Sequence, residues 1–292
     1  MPGGRLRTLR GFVVSVVLAY VLDAVASYRD LVRIPLESDD QLRFTGTVYV
    51  GSPPRSVQVD FDTGSSDTWV VTSNHFPTYR DVEPAPKAFA IGYGGGVASG
   101  LAVPANLQIG NQLGKNSNEV LFPNIPIGFV DDPVADLNSQ GVVGLGMEAL
   151  AQIRSNWSLL GLMAEQQGNP RPVVFSLYIS SCSGAQPSSQ LILGGHDPAL
   201  TSSNTTWFSF SVISNDELRG HQPPDSNVAI AETNFGFWAL RMQSMWFDNK
   251  VLPIGPANHH GAVLLDSGTS VLLLSQHTFD AVVQALSTRF GT

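Results

Sequence analysis

Apolar and polar residues alternate with a period of two through much of this chain, in runs too short for helices. Residues 44–50 alternate and end in the turn Gly51-Ser52-Pro53-Pro54; residues 57–61 alternate again. Further strand-like runs are 68–72, 88–92, 107–109 stopping at Gly110, 125–130, 142–143, 173–179, 191–193, 206–211, 235–240 and 262–265. Short strands separated by Gly- and Pro-rich turns predict an all-β fold. Two stretches break this rhythm. Leu150, Ile153, Trp157, Leu160 and Met163 recur at helical spacing, and so do Phe279, Val282, Val283, Leu286 and Phe290 behind a cap at Ser275. Both apolar stripes are expected to face a core.

Composition narrows the setting. Hydrophobic residues make up 43% of the 292, enough for a real core. Charged residues are 14%, well below the roughly 25% of an ordinary soluble domain. The net charge of −8 argues against nucleic acid as a partner. At the N-terminus, Arg5, Arg7 and Arg10 precede an apolar run at 11–22, too short to span a bilayer. Ala24-Val25-Ala26 then offers the small residues of a cleavage site, so 1–26 reads as a secretory signal peptide; an uncleaved anchor is the alternative. Secretion, or delivery to a vacuole or the cell surface, is expected. The sequons at Asn156 and Asn204 fit glycosylation there. Cys182 is the single cysteine, either a buried free thiol or one whose partner lies outside this sequence. The histidines, including His196, His221, His259 and His260, show no metal-ligand spacing, so neither metal nor cofactor is expected.

One local pattern occurs twice. Val59-Asp60-Phe61-Asp62-Thr63-Gly64-Ser65-Ser66 matches Val263-Leu264-Leu265-Asp266-Ser267-Gly268-Thr269-Ser270. Each copy ends a strand-like run in an Asp, follows it with a hydroxyl, and turns on a Gly that admits a neighbouring backbone. A single copy is compatible with an ordinary Asx turn. Two copies suggest two related lobes facing each other. Should the loops meet, Asp62 and Asp266 would share a proton, because two close carboxylates cannot both ionise cheaply. The ionised one could take a proton from water and the protonated one polarise a carbonyl.

Residues 61–70, Phe-Asp-Thr-Gly-Ser-Ser-Asp-Thr-Trp-Val, resemble the first active-site segment of the pepsin-like aspartic proteases. Residues 91–96 resemble that family's flap, with Tyr93 at the tyrosine position and Gly94 beside it. Residues 140–146 resemble the hydrophobic-hydrophobic-Gly segment threaded beneath the first Asp loop, with Gln140 where the family has Asp. Residues 174–178 and 191–197 match the strands leading into the second lobe, and Trp238 matches an aromatic position before the second Asp loop. The resemblance implies a bilobal acid-protease fold: a short segment at 27–43, an N-terminal lobe at 44–190 and a partial C-terminal lobe at 191–292. It implies a monomeric aspartic endopeptidase acting on peptides or proteins. Asp62 and Asp266 would be catalytic, and Thr63, Ser65, Ser267 and Thr269 the active-site hydroxyls. Tyr93, Gly94, Gly64, Gly268, Trp69 and Asp60 would line the substrate cleft, with Tyr93 bonded to Trp69. The alternative is a catalytically impaired binding protein of the same fold, or a truncation product.

The chain departs from the family pattern in three places. It continues from Asp266 only to Thr292, without a second hydrophobic-hydrophobic-Gly strand or a final strand between the lobes. The second lobe is therefore expected to be incomplete, and the chain alone to be unstable and weakly active. Residues 31–36 resemble the opening of a propeptide or a first mature strand, but no long basic prosegment follows. Asp60 stands where the family has an apolar pocket residue. It either biases that pocket towards Lys or Arg, or is held by a local hydrogen bond.

Overall fold

The computed structural model describes residues 14–19, 31–38, 43–72, 85–110, 118–131, 139–154, 157–166, 173–180, 188–200, 207–220, 235–254 and 261–291. Most of the leader segment, Cys182, Asn156, Asn204, His221, His259 and His260 lie outside them.

The elements run β1 (Val14–Ala19), β2 (Val32–Pro35), β3 (Thr45–Val50), β4 (Arg55–Asp62), β5 (Thr68–Val71), β6 (Lys87–Tyr93), β7 (Gly96–Gly110), β8 (Glu119–Val130) and β9 (Gly141–Gly144). There follow α1 (Leu159–Gln166), β10 (Val174–Ile179), β11 (Gln190–Leu193), α2 (Asn215–Gly220), β12 (Ala239–Met242), β13 (Met245–Phe247), β14 (Lys250–Leu252), β15 (Gly261–Leu264) and α3 (Gln276–Phe290). The fold is mostly β with few helices, as the alternation predicts.

A seven-stranded sheet in the order β3-β4-β9-β5-β8-β7-β6 dominates, and a pairing of β3 with β7 curls it towards closure. Its centre determines where the chemistry sits. β9 slots between β4 and β5, parallel to the first and antiparallel to the second, with Asp60 opposite Val142 and Asp62 opposite Gly144. Alternation then divides β4. Val57, Val59 and Phe61 join the main core with Val143, Leu145 and Phe175. Asp60 and Asp62 fall on the other face. A smaller cluster of Trp69, Ile91, Ala98, Val130 and Val142 packs on that side. A second sheet, β1-β10-β11-β2, holds residues 14–19 antiparallel to β10.

Four expectations are corrected. The helical stripe starting at Leu150 is not one helix: a 3-10 turn at Glu148–Leu150 is followed by α1 only from Leu159. The Asp67 carboxylate takes the amides of Gln152 (2.8 Å) and Ile153 (2.9 Å), and Ser158 Oγ caps α1 by accepting from Gly161 N–H. The second stripe does form a helix, α3, capped by Ser275 as read, but its apolar face is open: Phe279 is 50% and Phe290 68% exposed. Residues 207–211 form no strand; the neighbouring Val212 makes an isolated bridge to Leu240. Residues 235–238 are not strand either, although Trp238 O accepts from Leu265 N–H just outside the β12–β15 pairing. Gly236 O accepts from Met147 N–H, and Trp238 Nε1–H donates to Leu145 O at 2.8 Å.

Candidate active site

β4 delivers Asp62 at its last residue, and β15 hands the chain to Asp266 two residues beyond its end. The two turns are built alike. Asp62 Oδ1 accepts from Gly64 N–H (2.8 Å) and Oδ2 from Ser65 Oγ (2.5 Å). Asp266 Oδ1 accepts from Gly268 N–H (2.9 Å) and Oδ2 from Thr269 Oγ1 (2.7 Å). In each case the donors grip the carboxylate and fix its plane.

The turns also grip each other. Thr63 N–H donates to Ser267 Oγ at 3.0 Å, and Ser267 N–H to Thr63 Oγ1 at 2.9 Å. Each hydroxyl in turn donates across to the opposite strand, Thr63 to Leu265 O (2.7 Å) and Ser267 to Phe61 O (2.6 Å). Four reciprocal bonds make a local two-fold. The carboxylates lie so close to the facing loops that only glycine fits there. A Cβ on Gly64 would stand 2.7 Å from Asp266 Cγ, and one on Gly268 would stand 2.7 Å from Asp62 Cγ.

This proximity has an electrostatic consequence. Burial, joined by the charge of Asp266, pushes the Asp62 carboxyl up to about 6 against the pull of Ser65 and Gly64. Asp62 therefore holds its proton well above the ordinary carboxylate range.

The β6–β7 hairpin overhangs the loop. Tyr93 faces Gly96 across the turn Gly94-Gly95. Trp69 Nε1–H donates to Tyr93 OH at 2.7 Å. Burial, partly offset by that bond and assisted by the Asp62 charge, raises the Tyr93 phenol, so it stays a neutral donor and acceptor.

The first loop is braced from beneath. Leu145 N–H donates to Asp62 O, Gly146 N–H to Ser65 O, Gly144 N–H to Asp67 O, and Ser66 Oγ to Met147 O. Gln140 Oε1 accepts from Gln58 N–H at 3.0 Å, tying the start of the threading segment to β4. The structure thus brings together Asp62, Thr63, Gly64, Ser65, Asp266, Ser267, Gly268 and Thr269, and links Trp69 to Tyr93. Gly94 lies out at the hairpin tip and is exposed. Two contributors escape sequence reading. Asp67 tethers the 152–153 turn, and Arg43 Nε–H, just before β3, donates to Ser270 Oγ beyond the second Asp loop at 3.1 Å. Asp67 carries little signal, lying between Ser66 and Thr68, and Arg43 carries none.

The model of the family described as eukaryotic aspartyl protease matches residues 43–290. This chain belongs to that family. As an aspartyl protease family member it is 31% identical over 183 residues to Napsin-A of Mus musculus, covering 57% of this chain and 42% of that protein. It is 25% identical over 259 residues to gastricsin of Cavia porcellus (83% and 57%). It is 29% identical over 259 residues to pregnancy-associated glycoprotein 1 of Sus scrofa (85% and 58%). The aspartyl protease chain thus spans about half the length of the curated relatives it matches. Among the described residues no helix is long and apolar enough to cross a membrane, and no three His, Cys, Asp or Glu residues could hold a metal ion.

Proposed function

We propose that this chain is an aspartic endopeptidase that hydrolyses peptide bonds with a water held between Asp62 and Asp266. The observation that carries this reading is the reciprocal interlock of the two Asp loops, which brings the two carboxylates against each other's glycine. The ionised carboxylate takes a proton from water while the water oxygen attacks the peptide carbonyl carbon. The protonated carboxyl donates to the carbonyl oxygen, giving a tetrahedral diol. Collapse of the diol breaks the C–N bond, and the departing amine takes a proton back from the pair. In this reading Ser65 and Thr269 fix the outer carboxylate oxygens, and Thr63 and Ser267 hold the loops in register. Gly64 and Gly268 keep the approach open. Tyr93, positioned by Trp69, closes over the substrate with Gly94 at the tip.

The same reading divides the chain into lobes at 44–190 and 191–292 with a short segment at 27–43. It has the protein secreted as a monomer after loss of 1–26, with glycans at Asn156 and Asn204. The relatives' names support an acid protease. Cleavage of denatured haemoglobin at acidic pH, blocked by the statine-type inhibitor pepstatin, tests the activity. Cleavage that pepstatin does not touch would overturn it.

A further inference from the structure

α3 sits on the protein the wrong way out for a surface helix. Its small residues turn inward: Thr278 is buried, and Ala281 and Ala285 are half-buried. Its large apolar residues turn outward: Phe279 is 50%, Val283 43%, Leu286 38% and Phe290 68% exposed. The helix is nonetheless fixed in place. Ser275 caps its first turn, it lies against β14, and Arg289 Nε pairs with Asp248 Oδ2 in the β13–β14 turn at 3.3 Å. A surface helix ordinarily buries its apolar stripe, so this stripe calls for a partner.

The pattern of the stripe points to which partner. Phe279, Val283, Leu286 and Phe290 stand 4, 3 and 4 residues apart, the alternation of a coiled-coil seam. The spacing reads the same in both directions about the midpoint between Gln284 and Ala285. An identical helix laid antiparallel therefore sets Phe279 against the partner's Phe290 and Val283 against the partner's Leu286. The same contacts recur with the roles exchanged, as a two-fold interface requires. Charge follows the same symmetry. Asp280 and Arg289 are the carboxylate and the guanidinium of the helix, and each comes level with its opposite on the other copy. The helix dipoles oppose as well. A parallel pair would instead set Arg289 level with the partner's Arg289 and align the dipoles.

We propose that α3 is a self-association surface, through which two copies of this chain pair antiparallel in a reversible dimer. Four partly exposed side chains per copy bury less than the ~1,200 Å² at which stable interfaces begin. The secreted monomer is therefore the free form, and pairing follows concentration. The peptidase reading neither needs this pairing nor forbids it.

Sedimentation equilibrium of the whole chain over a concentration series tests the proposal. The native protein is expected to rise from one chain to two and to stop there. Leu286→Glu puts a carboxylate into both central layers and should weaken pairing at least about tenfold, since that charge would be buried against Val283 without a partner. Leu286 faces solvent in the single chain, so the variant should fold, which circular dichroism checks. Asp280→Arg tests the orientation: it should weaken pairing, and adding Arg289→Asp should restore it. A chain that stays monomeric, pairing indifferent to either single change, or growth beyond two chains would overturn the proposal. So would binding to phosphatidylcholine vesicles in place of self-association, which would make the occupant a lipid surface. Pepstatin-sensitive cleavage is assayed on the same samples, and its absence alongside intact pairing would overturn the peptidase reading alone.

Discussion

The two Asp loops have the same sequence logic and the same hydrogen bonds, yet they sit in different surroundings. Around the first, Asp62 and Thr63 are buried, at 6% and 2% exposure, and β9 passes beneath them. Around the second, Asp266 is half-buried, and Ser267, Gly268 and the following Val271, Leu272 and Leu273 are exposed. Local hydrogen bonding therefore suffices to shape an Asp-hydroxyl-Gly turn, while burial comes from the elements packed around it. The second loop keeps its form largely by holding on to the first.

The largest expected effect tests whether the loops are equal in chemistry. Asp62→Asn and Asp266→Asn should each lower kcat for peptide cleavage by roughly 10³-fold or more with the fold retained, since either change removes half of the acid–base pair. A variant with near-native turnover would show that its loop is a bystander.

Next comes the cross-lobe grip. Ser267→Ala should cost about 2 kcal/mol in denaturant unfolding, because it strands buried partners at Phe61 O and Thr63 N–H. Thr63→Ala should cost about 1 kcal/mol, since water can reach its partners Leu265 O and the exposed Ser267 N–H. Equal losses would mean that the asymmetry in burial has no energetic weight. Hydrogen exchange gives a related reading: amides at 266–270 should exchange faster than those at 62–66, by virtue of their exposure.

The smallest effect is on stability against pH. The Asp62 carboxyl binds its proton more tightly in the folded chain, at about 6, than at its ordinary value of 3.8. Its contribution is thus fully present below about pH 4 and is lost as pH rises through about 6. Asp60 and Asp67, both raised chiefly by burial, push in the same direction. The melting temperature should fall over that window, and less steeply in Asp62→Asn.

Much of this was legible in the sequence. Strict alternation at 44–50 and 57–61 placed β3 and β4 nearly to the residue, and the repeated Asp motif located both loops. Where the reading failed, a distant residue had overridden a local pattern. Asp67 unwinds the stretch after Leu150 by taking two amides that a helix would have used. Gly236 O is taken by the distant Met147 N–H, which draws 235–238 off a regular strand. The full length of β7 was hidden by Pro104 and by weak alternation near Gly96. The β13–β14 hairpin was missed although Asp248 and Asn249, both at positive φ, are the residues such a turn favours. Arg43 gave no warning, since a contact spanning 227 positions leaves no trace in local pattern.

The central claim is that Asp62 and Asp266 act as one proton-sharing pair. The pH dependence of pepstatin-sensitive peptide cleavage tests it most directly, measured on the native chain beside Asp266→Asn. The account predicts acid-favoured activity that declines as pH rises through about 6, and its near-complete loss in the variant at every pH. Activity that is flat across that range, or preserved in Asp266→Asn, would contradict it.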